Sequence, residues 1–382
     1  MKKDFLYIRP FLLSVLFFLF GCSNYSLAQS LVQSDEEQEA TMTPFEHTLG
    51  INLSTWLSHT EAKNGAEARD YFLKKDFDAL VAIGFDHIRL PIAEYMLYTS
   101  GLERDEETFK LIDQLVGWCQ EANVKLIINF HIPRIDKKKI WASQEERDKI
   151  VAIWSDLSKA FRKYPNETVA YEIFNEPGCP DNQMWNEFAA AMISEIRKEE
   201  PCRVIVLGPN GNNAIEKLPD LVLPQDDKNL IVSVHFYAPA LLTHYGVGKL
   251  KNMKVKLNYP GQIVTTEVLE TLTEEQKAIL KPFLGNFTYE TLKTRLAPLV
   301  EFSKRKGVRV RCGEFGYNNG YEKAMGDTTI QPRWTRDVTA AFRSLGIPHS
   351  FWGYKSTFGL FENDGTIKNE QTIKALQGKD IE

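Results

Sequence analysis

This 382-residue chain has little of what several function classes require. It lacks an excess of positive charge. Its 46 Lys and Arg against 51 Asp and Glu leave a net charge of −5, which gives no basic footprint for nucleic acid. It has five cysteines, and none forms a CxxC pair. None of its seven histidines stands at metal-ligand spacing, so no catalytic metal is expected. No glycine-rich loop follows the first apolar run of the globular part, so no nucleotide cofactor is expected. What remains is the composition of a soluble globular protein, 43% hydrophobic and 25% charged, long enough for one large domain. Aromatic residues make up 12%, seven of them Trp, which suits a large core or a surface that stacks on flat ligands.

The N-terminus reads as a targeting segment. Lys2, Lys3 and Arg9 precede an apolar run, Phe11 to Phe20, that is too short to span a bilayer comfortably. The following "LFGC", Leu19 to Cys22, resembles the bacterial lipobox, with Phe20 where a smaller residue is usual. The expectation is a signal peptide over 1–21 and lipidation of Cys22. A polar tether carrying "SDEEQEA" would follow over 22–45, and one catalytic domain over 46–382, exported as a cell-envelope lipoprotein. An ordinary secretory signal and a single anchor helix are the alternatives, and export follows from each of them.

From residue 49 the chain alternates apolar runs with amphipathic stretches. The runs are 49–54, 86–91, 124–131, 169–176, 203–208, 230–237, 308–315 and 348–354. Most are apolar on successive residues, as parallel strands covered on both faces should be. Helical patterns separate them; Ser143, with Glu146 three residues on, reads as an N-cap and its capping-box partner. The segment before the sixth run is the weakest helix candidate, rich in Asn, Gly and Pro. Eight such units predict a (β/α)8 TIM barrel, with the doubly wound α/β sheet as runner-up. An extended loop over 238–287 follows strand six and is expected over the C-terminal rim. Cys119, Cys179, Cys202 and Cys312 then read as free thiols. A Cys179–Cys202 bridge is not expected, because the barrel puts these two at opposite ends.

A barrel gathers residues from the C-terminal ends of its strands into one bowl. Strand two brings Arg89 and strand three brings His131. Strand four brings Asn175 and Glu176, and strand six brings His235 and Tyr237. Strand seven brings Glu314 and strand eight brings Trp352. Two carboxylates suit glycoside hydrolysis, one donating a proton to the leaving oxygen and the other attacking the anomeric carbon. Arg89 would face Glu314, Asn175 could bind a sugar 2-hydroxyl, and Trp352 offers a face for a pyranose ring. Trp56 and Trp141, in loops after strands one and three, are candidate sugar platforms. Each feature has a plainer reading: "FNEP" as a turn, Arg89 as a structural ion pair, the histidines as satisfied core residues.

As a set, "GFDHIRLPI", "NEP", "HFYAP", "GEFG" and "FWGYKSTFGLFENDG" resemble glycoside hydrolase family 5, over nearly all of 46–378. The resemblance implies Glu176 as acid/base and Glu314 as nucleophile. It implies supporting roles for Arg89, His131, Asn175, His235, Tyr237 and Trp352. "INFH" in place of "LDLH" and the 238–287 loop depart from the pattern and bear on substrate choice. The expectation is a monomeric, retaining endo-β-1,4-glycanase acting on cellulose, mixed-linkage glucan or xyloglucan without a cofactor. The alternatives are a β-mannanase or exo-acting β-glycosidase, and a non-catalytic surface glycan-binding lipoprotein. The lipobox reading has a direct check. Cys22→Ala should move the protein from membrane to soluble fractions with its activity intact, whereas a variant that stays on the membrane makes the apolar run an anchor.

Overall fold

The eight apolar runs become eight parallel strands in the computed structural model, which describes residues 42–99, 103–132, 134–251 and 254–382. They are β1 (Leu49–Asn52), β2 (His87–Ala93), β3 (Lys125–His131), β4 (Val169–Glu172), β5 (Ile205–Leu207), β6 (Leu230–His235), β7 (Arg309–Phe315) and β8 (His349–Trp352). Each pairs with its sequence neighbours and β8 pairs with β1, closing the (β/α)8 barrel. The predicted signal peptide, Cys22 and most of the tether lie outside the described residues. The compact unit begins at Thr43. Thr43 bonds Asn229 and Cys202. Phe45, 3% exposed, joins Ile127, Ala170, Val204, Val206 and Ile231 in a separate apolar cluster.

Helices cover the sheet wherever the sequence carries a 3.6-residue apolar stripe. Helix Gln144–Phe161 buries Ile150, Ile153, Trp154, Leu157 and Phe161, each contributing ~1.5–3 kcal/mol by leaving water. Its N-cap is Ser143, whose hydroxyl accepts from the Glu146 N–H, while the Glu146 side chain pairs with Lys149 instead of closing a capping box. Between β5 and β6 there are only a short turn, Asn210–Asn213, broken by non-helical backbone at Gly211 and Asn212, and the 3-10 turn Ile215–Asp220, since Pro219 and the Asn-rich approach cannot sustain a longer α-helix. The 238–287 loop packs beside the segment that follows β7. Tyr245 meets Tyr321 edge-on, the Tyr321 hydroxyl bonds the Leu257 backbone, and Tyr259 donates to Asp337 at 3.0 Å. Cys119, Cys179, Cys202 and Cys312 are all free.

Several strand ends differ from the sequence reading, and two of them bear most on the site. β2 runs on through Pro91 to Ala93, whose N–H still finds the Leu57 carbonyl at 2.8 Å, so Arg89 stands mid-strand inside the barrel. β4 stops at Glu172, which leaves Asn175 and Glu176 on the loop beyond it.

Elsewhere Arg203, fully buried, ties β4 and β5 to the helix before β4. It donates to the carbonyls of Tyr164 (2.8 Å) and Val169 (2.7 Å) and to the Glu200 carboxylate (2.7 Å). Arg203→Met should cost about 3–5 kcal/mol, because it orphans a buried carboxylate and two carbonyls. Denaturant unfolding checks this; a loss below 1 kcal/mol would mean that the network is dispensable.

Candidate active site

The site is built around one guanidinium. Arg89 is fully buried, and its five N–H donors are all engaged. Nε and Nη2 hold the two oxygens of Glu172 at 2.6 and 2.9 Å. Nη2 also donates to Asn175 Oδ1 at 2.8 Å. Nη1 donates to Asn52 Oδ1 at 2.9 Å and Glu314 Oε1 at 2.8 Å. Burial alone would weaken the charge of Arg89; Glu172, then Glu314, outweigh it and raise its pKa above the ordinary value. Burial would likewise raise the Glu172 pKa, but Arg89 prevails and holds it below the usual carboxylate range.

Glu314 reaches this cluster through an irregularity in β7. Register shifts between β6 and β7 so that His235 pairs with Glu314 where Val234 had paired with Cys312. Gly313 makes this possible, since a Cβ there would lie 2.4 Å from Ser233 Oγ. The second oxygen of Glu314 accepts from the Tyr237 hydroxyl at 3.0 Å. Burial, then the charges of Glu314 and Glu176, push the Tyr237 pKa far up, so it remains a donor.

Glu176 sits on the loop after β4 with φ +44°, a left-handed backbone unusual for a residue with a side chain. Lys137, from helix Arg134–Ala142, anchors that loop by donating to the carbonyls of Asn175 and Glu176. His235 bridges the two carboxylates, with Nδ1 at 3.0 Å from Glu176 and 3.4 Å from Glu314. Its Nε2 receives the Asn213 amide at 3.3 Å. Glu176, His235 and Glu314 thus bring one donor atom each within 4.8 Å of one another, a spacing that could also hold a cation. The imidazole Nδ1 already joins the two carboxylates.

His131 accepts from Asn175 Nδ2 at 3.3 Å and contacts Asn129 Oδ1 at 3.2 Å. Burial, with His59 and Arg89 nearby, holds its pKa well below the usual value, so it is neutral. The half-buried Trp352 ring lies near-parallel to His131, 24° and 6.2 Å between centroids, and its peptide to Gly353 is cis. A cavity of about 440 Å³ opens here, lined by Glu176, His235, Tyr237, His244 and Arg295. A larger one, about 630 Å³ and lined by His47, Asp86 and Arg309, has neither of the paired carboxylates.

Arg89, His131, Asn175, Glu176, His235, Tyr237, Glu314 and Trp352 therefore converge as the sequence predicts. Trp56 and Trp141 do not. Trp56 is 1% exposed against Phe72, with its indole N–H on the Ala68 carbonyl. Trp141, 9% exposed, packs among Phe174, Trp185 and Phe188 and donates to the Pro177 carbonyl. Neither offers a ring face to a sugar. Sequence reasoning missed Glu172, Asn52, Lys137, Asn213 and His59, whose ring meets His131 at 4.7 Å. A charged residue inside the apolar run "VAYEIF" was the available signal for Glu172.

The cellulase family, glycosyl hydrolase family 5, matches residues 54–357. Endoglucanase C of Acetivibrio thermocellus is 27% identical over 346 residues, covering 86% of this chain and 97% of the relative. Cellodextrinase A of Ruminococcus flavefaciens is 26% identical over 311 residues, covering 78% and 82%. A solved hyperthermophilic endo-β-1,4-glucanase in complex with substrate superposes with a TM-score of 0.68, at 24% identity over 90% of this chain and 99% of that one, a likeness of fold.

The buried histidines set a pH dependence of stability. Burial lowers the pKa of His87 and His131 well below the ordinary value and that of His349 to about 4. Below about pH 6.5 the unfolded chain binds protons that the folded chain refuses, so stability present above that pH is lost as pH falls toward 4. Glu172, with its lowered pKa, adds a further loss at the acid end of that range. Calorimetry should give a Tm that is flat near neutrality and declines below about pH 6.5. A Tm unchanged down to pH 4 would contradict it.

Proposed function

The chain belongs to glycosyl hydrolase family 5, and from that premise we propose that it is a retaining endo-β-1,4-glycanase acting on a β-glucan by double displacement. The carrying observation is the closeness of the Glu176 and Glu314 oxygens, within 4.8 Å of each other. A retaining pair stands about 5–5.5 Å apart, whereas an inverting pair leaves about 6.5–9.5 Å for a water.

In this reading Glu314 attacks the anomeric carbon, and Glu176 gives its proton to the departing glycosidic oxygen. A covalent glycosyl ester on Glu314 results. Water entering on the leaving-group side gives its proton to Glu176 and its oxygen to the anomeric carbon, which releases Glu314 and restores the original configuration. Arg89 and Tyr237 fix both oxygens of Glu314 along the line of attack. Because Arg89 takes the Asn175 carbonyl oxygen, the Asn175 amide faces away from it; one N–H goes to His131, and the second is the one to donate to a sugar 2-hydroxyl. Trp352 supplies a platform beside it.

Endo action on β-glucan is favoured by the end-to-end similarity to an endoglucanase. The cellodextrinase among the relatives makes cleavage of short chains the second reading, and product lengths from a polysaccharide panel separate the two. Attachment to the cell envelope through Cys22, behind a signal peptide over 1–21, belongs to the same proposal and rests on the "LFGC" motif.

Azide tests the roles. With Glu314→Ala, azide should occupy the vacated space and give an α-glycosyl azide. With Glu176→Ala and an activated aryl glycoside, the ester still forms, and azide should intercept it to give the β-glycosyl azide. Swapped products would reverse the two assignments. No rescue in either variant, with wild type inactive on every β-glycan tried, would leave a binding protein.

A further inference from the structure

We propose that Arg311 is a positioning residue for this reaction: from inside the barrel it balances the charge of Glu172, so that Arg89 remains available to Glu314. The proposal rests on the assignment of Glu314 as nucleophile.

Arg311 stands on β7, three residues before Glu314, and is fully buried. Nothing in the reaction scheme uses it. Its Nη2 donates to Ser350 Oγ and to His87 Nε2, the latter at 3.1 Å. Its Nη1 lies 4.0 Å from Glu172 Oε2, too far for a hydrogen bond but near enough for a strong charge interaction at zero exposure. Neither Nε nor Nη1 has a hydrogen-bond partner, so the guanidinium is not held there by a complete bonding set as Arg89 and Arg203 are.

The charges explain it better than the bonds. Glu172 and Glu314 are two buried carboxylates that share Arg89. Arg89 alone would leave the trio with a net negative charge in a medium that penalises it. Arg311 brings the sum to zero from the side opposite the cleft. Without it, the cluster gains by taking up a proton. Glu172 is gripped by two bonds from Arg89, whereas Glu314 takes one from Arg89 and one from Tyr237 and faces the cleft, so the loss of Arg311 is felt there. The charged and titratable groups facing Glu314 are Arg89, Glu172, Glu176, His235, Tyr237 and, from the loop after β1, His59. Those facing Arg311 are Glu172, Arg89, Asp86, Cys312, His47, His87 and His349. Burial pushes the Arg311 pKa down to about 10, which leaves it charged at neutral pH.

The test compares kcat/KM against pH for wild type, Arg311→Met, Arg311→Gln and Arg311→Lys, on a soluble oligosaccharide. The acid limb of that profile reports ionisation of the free enzyme. In the Met and Gln variants it should move to higher pH by about half a unit or more, with rates near wild type at neutrality. Lys should restore the wild-type limb. Melting curves run alongside identify variants that fail to fold, and the two neutral side chains differ enough in polarity that one serves if the other unfolds. A folded neutral variant with an unmoved acid limb overturns the proposal. That failure would leave the azide products of the Glu314 and Glu176 variants as expected, whereas a wrong nucleophile would swap them while leaving Arg311 unaddressed.

Discussion

The Arg89 guanidinium is the interaction on which the site depends. Its five bonds join β1 through Asn52, β4 through Glu172, the loop after β4 through Asn175, and β7 through Glu314. A buried arginine is costly unless every donor is satisfied and the charge is matched. Once both conditions are met, the groups it holds lose their freedom. The orientation of the Asn175 amide and the position of the Glu314 carboxylate both follow from where this one side chain can reach.

Around that fixed centre the remaining groups are adjustable in a definite order. Tyr237 and His235 close on the face of Glu314 away from Arg89, and His235 also touches Glu176. Glu176 is the most exposed of the two bridged carboxylates, at 16% of its side chain against 6% for Glu314. It rests on a left-handed backbone that Lys137 holds by its carbonyls. The more exposed carboxylate, beside the cavity, suits a group that gives and recovers a proton. A carboxylate clamped from two sides suits one that must attack along a single line.

Much of this was legible in the sequence, for physical reasons. Parallel strands covered on both faces leave continuous apolar runs, so all eight could be located. Barrel geometry then sends the residues at their ends to one bowl, which placed Glu176, Glu314, His131 and Trp352 together. The rest is set by tertiary contacts that leave no local pattern. Glu172 reads as a lone charge in "VAYEIF", and nothing nearby tells that it shares Arg89 with Glu314. Trp56 and Trp141 follow strands, as platforms would, but a loop position does not fix which way a ring turns; both turn inward because the indole N–H finds a buried carbonyl. Lys137 looks like one of three lysines on an amphipathic helix until its distance to the Glu176 loop is known.

In the proposed reaction Glu314 is the group that becomes covalently bound to the sugar. In an activated 2-deoxy-2-fluoro glycoside the fluorine slows both steps by destabilising their oxocarbenium-like transition states, while the good leaving group keeps formation of the ester faster than its release. Proteolysis and mass spectrometry of the trapped protein should then find the sugar on Glu314, within "VRVRCGEF". A label on Glu176 or Glu172, or release of product of inverted configuration with no labelled peptide, would contradict it.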